Sequence, residues 1–264
     1  VTHRYFFAHR AQVRLSRTFD LALWETVVLA GVDRSFDARY RNPVTLLLLA
    51  NQYGLGDEGN VLLGVDATWQ VGGRTTLQAQ LGLDDIQYQH RGSSTRYPDR
   101  YAFTLQATGP LRGTIAWRAL YTQASSLAFR TFRPTEAFVE QGVGLGRNYA
   151  DNDQVTLALS APLRRRWLVT PELTLLRQGE GRLTEPTPPS GTVEAGNTPQ
   201  LFIGTVERTW RAALGVSGTE GPLTLTANAG LHHVENEGNV SGRTKTRFVG
   251  RVQATLGLTR GGHF

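Results

Sequence analysis

Apolar and polar residues alternate with a period of two over eleven segments, at about 4–16, 19–30, 60–71, 75–86, 100–108, 113–123, 153–162, 166–178, 201–217, 222–234 and 246–259. In TTLQAQLGLDD (75–85), Leu77, Ala79, Leu81 and Leu83 share one side of an extended chain, while Gln78, Gln80, Gly82 and Asp84 share the other. Successive side chains of a strand point to opposite faces, so each segment predicts a two-faced strand. The stretch 61–71 sets Val61, Leu63, Val65, Ala67, Trp69 and Val71 against Leu62, Gly64, Asp66, Thr68 and Gln70. Only PTEAFVEQ (134–141), inside a loop, predicts one or two helical turns.

A single strand cannot say whether its apolar face meets a second sheet or lipid. The connections decide. LSRTF, VGGR, TGPLRG, PLRRR and SGTEGP are short, whereas 31–59, 87–99, 124–152, 179–200 and 235–245 are long, and the two kinds alternate. An up-and-down barrel puts all tight turns at one rim and all long loops at the other, as outer-membrane barrels do. A Greek-key sandwich mixes them. The predicted fold is therefore all-β: one transmembrane, antiparallel, up-and-down outer-membrane β-barrel domain over 1–264, with about eleven strands. Aromatic placement agrees. Phe19, Trp69 and Trp167 lie on the apolar phase beside short turns, and Tyr101, Phe103, Tyr121 and Phe248 nearer the long loops. The expected orientation puts the long loops outside the cell and the C-terminus, with its Phe264, in the periplasm. Bacterial single-chain barrels usually have an even strand number, so further strands are expected upstream of Val1.

Composition narrows the chemistry. The longest apolar run, VTLLLLA (44–50), is far short of the roughly 20 residues of a spanning helix. The absence of cysteine excludes disulfides, thiolate nucleophiles and cysteine metal sites. The net charge of +6 is carried almost wholly by arginine, Lys245 being the only lysine. The planar guanidinium suits phosphate, sulfate and carboxylate, although an arginine-rich codon usage gives the same count. No G-x-S-x-G, H-E-x-x-H or P-loop is present, and neither catalysis nor a cofactor is expected.

Several stretches in order, HRYFFAHRAQVRL, YRNPVTLLL, GNVLLGVDATW, QAQLGLDDIQ, YPDRYAFTL, GPL…WRALYTQASSLAFRT and PTEAFVEQGVGLGRNYADNDQVTLALSAPL, resemble the capsule assembly proteins of the Wzi type over about residues 3–178. The resemblance implies an outer-membrane barrel whose external face anchors anionic capsular or exopolysaccharide, in a lectin-like and non-catalytic way. The alternatives are a pore or transport component for anionic solutes and a structural subunit of a larger envelope complex. Expected partners are the outer membrane with its lipopolysaccharide, an anionic surface polysaccharide and envelope-complex subunits, but no nucleic acid.

Candidate ligand-binding residues follow from phase and loop position. Arg10, Arg14, Arg118, Arg211 and Arg251 fall on the polar phase, where they would hold an anion or pair with carboxylates such as Asp66, Asp84 and Glu172. Asp84 and Asp85 sit at the external end of their strand, followed by Tyr88 and Arg91 in QYQHRGSS; Arg130, Arg133 and Arg147 lie in the loop 124–152. That loop is long enough to fold inward as a plug. Asp151 and Asp153, with Asn152, offer oxygen donors for a divalent cation, but a loop-to-strand turn explains them equally and no metal is expected. His232 and His233 are adjacent in a strand, point to opposite faces and cannot join one site.

Overall fold

The computed structural model describes residues 2–42, 44–52, 59–85, 98–146, 148–164, 166–188 and 192–257. Eleven long strands run β1 (Thr2–Arg14), β2 (Phe19–Val32), β3 (Asn60–Val71), β4 (Thr75–Asp85), β5 (Arg100–Arg112), β6 (Ile115–Ala124), β9 (Asn152–Arg164), β10 (Trp167–Gln178), β11 (Glu207–Glu220), β12 (Leu223–Glu235) and β13 (Thr244–Leu256). A two-residue pair, β7 (Val139–Glu140) and β8 (Val143–Gly144), forms a separate hairpin between β6 and β9. Two short helices, α1 (Leu47–Gln52) and α2 (Val193–Asn197), lie in loops. Each long strand pairs antiparallel with its sequence neighbours, giving one meander ordered β1-β2-β3-β4-β5-β6-β9-β10-β11-β12-β13. Among the described residues no ladder joins β1 to β13. This is the all-β, up-and-down sheet of an outer-membrane barrel.

Register turns the sequence alternation into two continuous faces. Pairing of Val65 with Leu81, Leu81 with Phe103, Leu105 with Tyr121 and Tyr121 with Val155 carries one apolar face from strand to strand. Pairing of Asp66 with Gln80, Gln80 with Thr104, Thr104 with Thr122 and Thr122 with Gln154 carries the polar face one residue out of step. The apolar face is bare over most of its area, with Leu23, Leu173, Leu214, Phe248 and Val252 all exposed. Such an area is too large for a water-facing surface, and it fits lipid. The polar face is then the inner face of the barrel. Tyr101, Phe103 and Tyr121 pack together on the outer face, at ring separations of 6.4 and 5.5 Å, toward the long-loop rim. At the other rim, Gly72 and Gly73 turn β3 into β4 with φ of +56° and +70°, a conformation side chains resist.

Two differences from the sequence reading are local. Strand β5 runs on through Gly109 and Pro110 to Arg112, with a register shift at Pro110/Arg112, because proline has no amide to give the ladder. PTEAFVEQ forms a single 3-10 turn at Pro134–Glu136 and then enters the β7–β8 hairpin, where Gln141 and Gly142 take positive φ. The loop between β2 and β3 folds back over the outer face. Tyr40 and Leu47 bury Val27 and Leu29 there, and Tyr5, Phe7 and Val61 pack around them. Under this flap Glu25 accepts the Leu47 and Leu48 amides (2.8 and 3.3 Å) and faces His9 Nδ1 at 3.3 Å. A carboxylate on an otherwise apolar face is thereby supplied with donors.

The face assignment predicts opposite outcomes at neighbouring positions. Leu105→Arg should destabilise the membrane-embedded barrel by about 2–4 kcal/mol near mid-bilayer, whereas Gln106→Arg should cost almost nothing. Urea unfolding in lipid vesicles measures both, and equal costs would refute the assignment.

Candidate functional site

The loop between β6 and β9 folds against the inner face and closes part of the mouth. Five wall residues, Arg4, Asn60, Asp84, Arg100 and Tyr101, hold it. The Phe129 amide donates to Asp84 Oδ2 at 2.9 Å, and Arg100 donates to the Arg130 carbonyl at 2.9 Å while pairing with Asp85 at 2.8 Å. Arg4 donates to the Ala137 carbonyl and to Glu140, both at 2.8 Å. The Asn60 amide reaches the Glu136 carbonyl at 3.2 Å, and Ser125 bridges to the Tyr101 backbone. Asp84 sits where β4 and β5 shift register, and its side chain is fully buried, with Arg100 at 3.8 Å. Both partners meet Oδ2, which offsets part of the cost of burying the carboxylate, while Oδ1 is buried without a hydrogen bond.

These ties seat Phe129 and Phe138 on the wall. Phe138 packs with Val28 and Leu62, with Trp24 and Phe129 beside them. A cleft of about 490 Å³ opens beneath the loop, walled by Phe6, Trp24, Leu62, Phe129, Phe138 and Leu145, with Arg10, Asp66, Gln80 and Thr104 as its polar part. Asp66 organises that part: Trp24 Nε1 and Gln80 Nε2 donate to its Oδ1 at 2.9 Å each, and Arg10 Nε to its Oδ2 at 3.3 Å. Trp24 lies over Gly64, where a Cβ would stand 2.0 Å from the indole, and beside Gly82, where it would stand at 3.3 Å. Both glycines make room for one ring, which is why they interrupt these strands.

A second tier of loops caps the rim. Asp151, at φ +53°, is buried and accepts the amides of Gly181, Phe202 and Ile203 at 3.0, 2.5 and 2.9 Å. Burial pushes its carboxyl above the ordinary value, against the pull of these amides. Gln178 Nε2 donates to the Ala150 carbonyl at 2.8 Å. Arg130 is 5% exposed and donates to the carbonyls of Glu185 and Pro186 at 2.9 and 2.8 Å. Its burial holds the guanidinium below its usual value, opposed by Glu185 and Asp151.

The residues singled out from the sequence are scattered over these parts. Arg10 belongs to the cleft, and Arg14 pairs with Asp20 at 2.9 Å near the short-turn rim. Arg118 and Arg211 share Glu172, at 3.2 and 2.8 Å. Arg251 lies on the inner face of β13, opposite Asn228. Asp84, Asp85 and Arg130 tie loops to the wall, and Arg133 pairs with Glu136 at 3.2 Å beside the Phe132 ring. Asp151 and Asp153 do not converge on a cation: Asp151 is spent on backbone amides, and Asp153 pairs with Arg177 on the outer face. Among the described residues no group of three acidic or histidine side chains is placed to hold a metal. Tyr88, Arg91 and Arg147 lie outside the described residues. Sequence reasoning missed Arg4, Asn60, Arg100, Phe129 and Phe138, which act only through loop placement. Trp24 carried a signal, since a large ring facing two strand glycines marks a filled gap.

No family model matches the chain, and no curated protein matches it. The resemblance to the Wzi type therefore gains no support from a family match. A solved structure described as a Pseudomonas aeruginosa FadL homologue is similar at 10% identity and a TM-score of 0.41, over 96% of this chain and 66% of that one. At that level the likeness decides neither substrate nor activity.

The ties predict a releasable loop. Asp84→Ala removes a buried acceptor, costing about 1–3 kcal/mol locally. Trypsin applied to the membrane-embedded protein should then cut after Arg130, whose side chain is 5% exposed and held by loop carbonyls in the parent. Unchanged protection would show that Asp84 does not hold the loop.

Proposed function

We propose that this chain forms the wall and capped mouth of an outer-membrane barrel that admits small amphipathic solutes, a pore or transport component without catalysis. One observation carries the reading: an aromatic-walled cleft with a polar part built on Asp66 opens on the inner face, directly beneath an inward-folded loop. Binding sites for small molecules are of this kind, mostly apolar with a few placed polar groups. The orientation in this reading sets the long loops outside the cell and the C-terminal end in the periplasm.

Anchoring of anionic surface polysaccharide is the second reading. Phe132 is 62% exposed with Arg133 5.2 Å from its ring, and Tyr149 is 51% exposed, so the outer rim offers ring faces for sugars. Against it, Arg100, Arg130 and Arg182 of the external rim are engaged with loop carbonyls and carboxylates, which removes them from a surface anion site.

An amphipathic dye, 1-anilinonaphthalene-8-sulfonate, separates the two with protein in lipid nanodiscs and empty nanodiscs as background. Energy transfer from tryptophan should fall in Trp24→Phe, and Leu62→Trp, which fills the cleft, should weaken dye binding about tenfold. Equal binding by Leu62→Trp and the parent would overturn the transport reading. Retention on immobilised acidic polysaccharide that is lost in Phe132→Ala would favour the second.

A further inference from the structure

The inner faces of β12 and β13 carry cations and no carboxylate. Register sets Arg211 beside His232 and His232 beside Arg247, three nitrogen-bearing side chains on one rung. Arg251 follows on the same face of β13, opposite Asn228. Neither β12 nor β13 presents an acidic residue on its inner phase. The neighbouring inner carboxylates are committed: Glu172 to Arg118 and Arg211, and Glu237, at the rim, to Arg243 and Lys245 at 3.0 and 3.2 Å. Among the described residues Arg247 and Arg251 form no ion pair. Arg211 Nε is buried without a hydrogen-bond partner, although its terminal nitrogens reach Glu172 and Asn228, both at 2.8 Å.

Arg247 and Arg251 share one face of β13 with no carboxylate on that strand or on the inner face of β12 to neutralise them, which leaves their charge for an anion that enters. Elsewhere on the inner wall the counter-charge is built in, as at Arg10–Asp66 and Arg14–Asp20. Here it is not. We propose that Arg247, Arg251, His232 and Asn228 form a binding site for a compact oxyanion, a phosphate or sulfate group, with Arg211 fixed behind them by Glu172. Arg247 and Arg251 stand roughly 13 Å apart along the strand, a gap two arginine side chains close around one tetrahedral ion. Guanidinium donors match the oxygens of such an ion in pairs. Asn228 accepts from Arg211 through its oxygen, which leaves its amide hydrogens for the ligand. The site lies on other strands than the aromatic cleft and does not depend on it.

Inorganic phosphate is the direct probe, added to the full chain in zwitterionic lipid vesicles against chloride at equal ionic strength. Phosphate should broaden its own 31P resonance and raise the thermal midpoint, with sulfate competing. Arg247→Gln and Arg251→Gln should each weaken the response about tenfold, and the double variant should abolish it. In chloride alone the single variants should melt no lower than the parent, because neither arginine is tied to a carboxylate. Arg74→Gln, at the β3–β4 turn, should leave the response intact. The site is overturned if phosphate acts no differently from chloride, or if Arg251→Gln keeps the full 31P response. The far-UV circular dichroism of the β-sheet serves as an independent check that each variant is folded.

Discussion

Every backbone N–H and C=O that crosses a bilayer core must find its partner within the protein, because lipid offers none. That constraint governs the rest of this chain. It dictates long strands, each paired on both sides except at the two ends of the sheet, and it fixes register. A slip of one residue would turn Leu77, Leu81 and Phe103 inward and Gln78, Gln80 and Thr104 toward lipid. The few charged groups on the outer phase obey the same logic. Glu25 is covered by a loop and given two amides, and Asp153 meets Arg177 at the rim.

Once the outer face is committed to lipid, the polar chemistry is forced inward, where it must balance itself. Over β1–β4 and β6–β11 the balance is struck between side chains: Asp66 takes Arg10, Trp24 and Gln80, and Glu172 takes two arginines. Buried and half-buried ions are retained at low cost only when such partners are in place. The loops repeat the strategy. Asp84 and Asp151 accept backbone amides of segments far along the chain, so the mouth has a defined shape rather than a fringe of loose connections. A cleft walled by Phe129 and Phe138 exists because those loop residues are held in place.

Much of the fold was legible in the sequence, since a period of two survives in one dimension. The segments at 60–71 and 75–86 match β3 and β4 almost to the residue. The reading failed where periodicity stops being the controlling term. Segment 201–217 starts early because Leu201 to Val206 are held by the Asp151 and Glu180 carboxylates and not by a ladder. PTEAFVEQ keeps only a 3-10 turn because Ala137 and Glu140 are committed to Arg4 and Val139 to a hairpin. Asp151 and Asp153, two residues apart, looked like a pair, yet one ends a loop and the other opens the outer face of a strand.

The sequence by itself determined the strands, their two faces, the two rims and the excess of arginine on the inner phase, because each depends on residues that are near neighbours along the chain. The tertiary structure alone decided which arginines are neutralised, which loop enters the mouth and where the cleft lies. Those outcomes turn on partners such as Arg4 with Glu140, or Asp84 with Phe129. No local pattern joins residues so far apart; only the folded loop does.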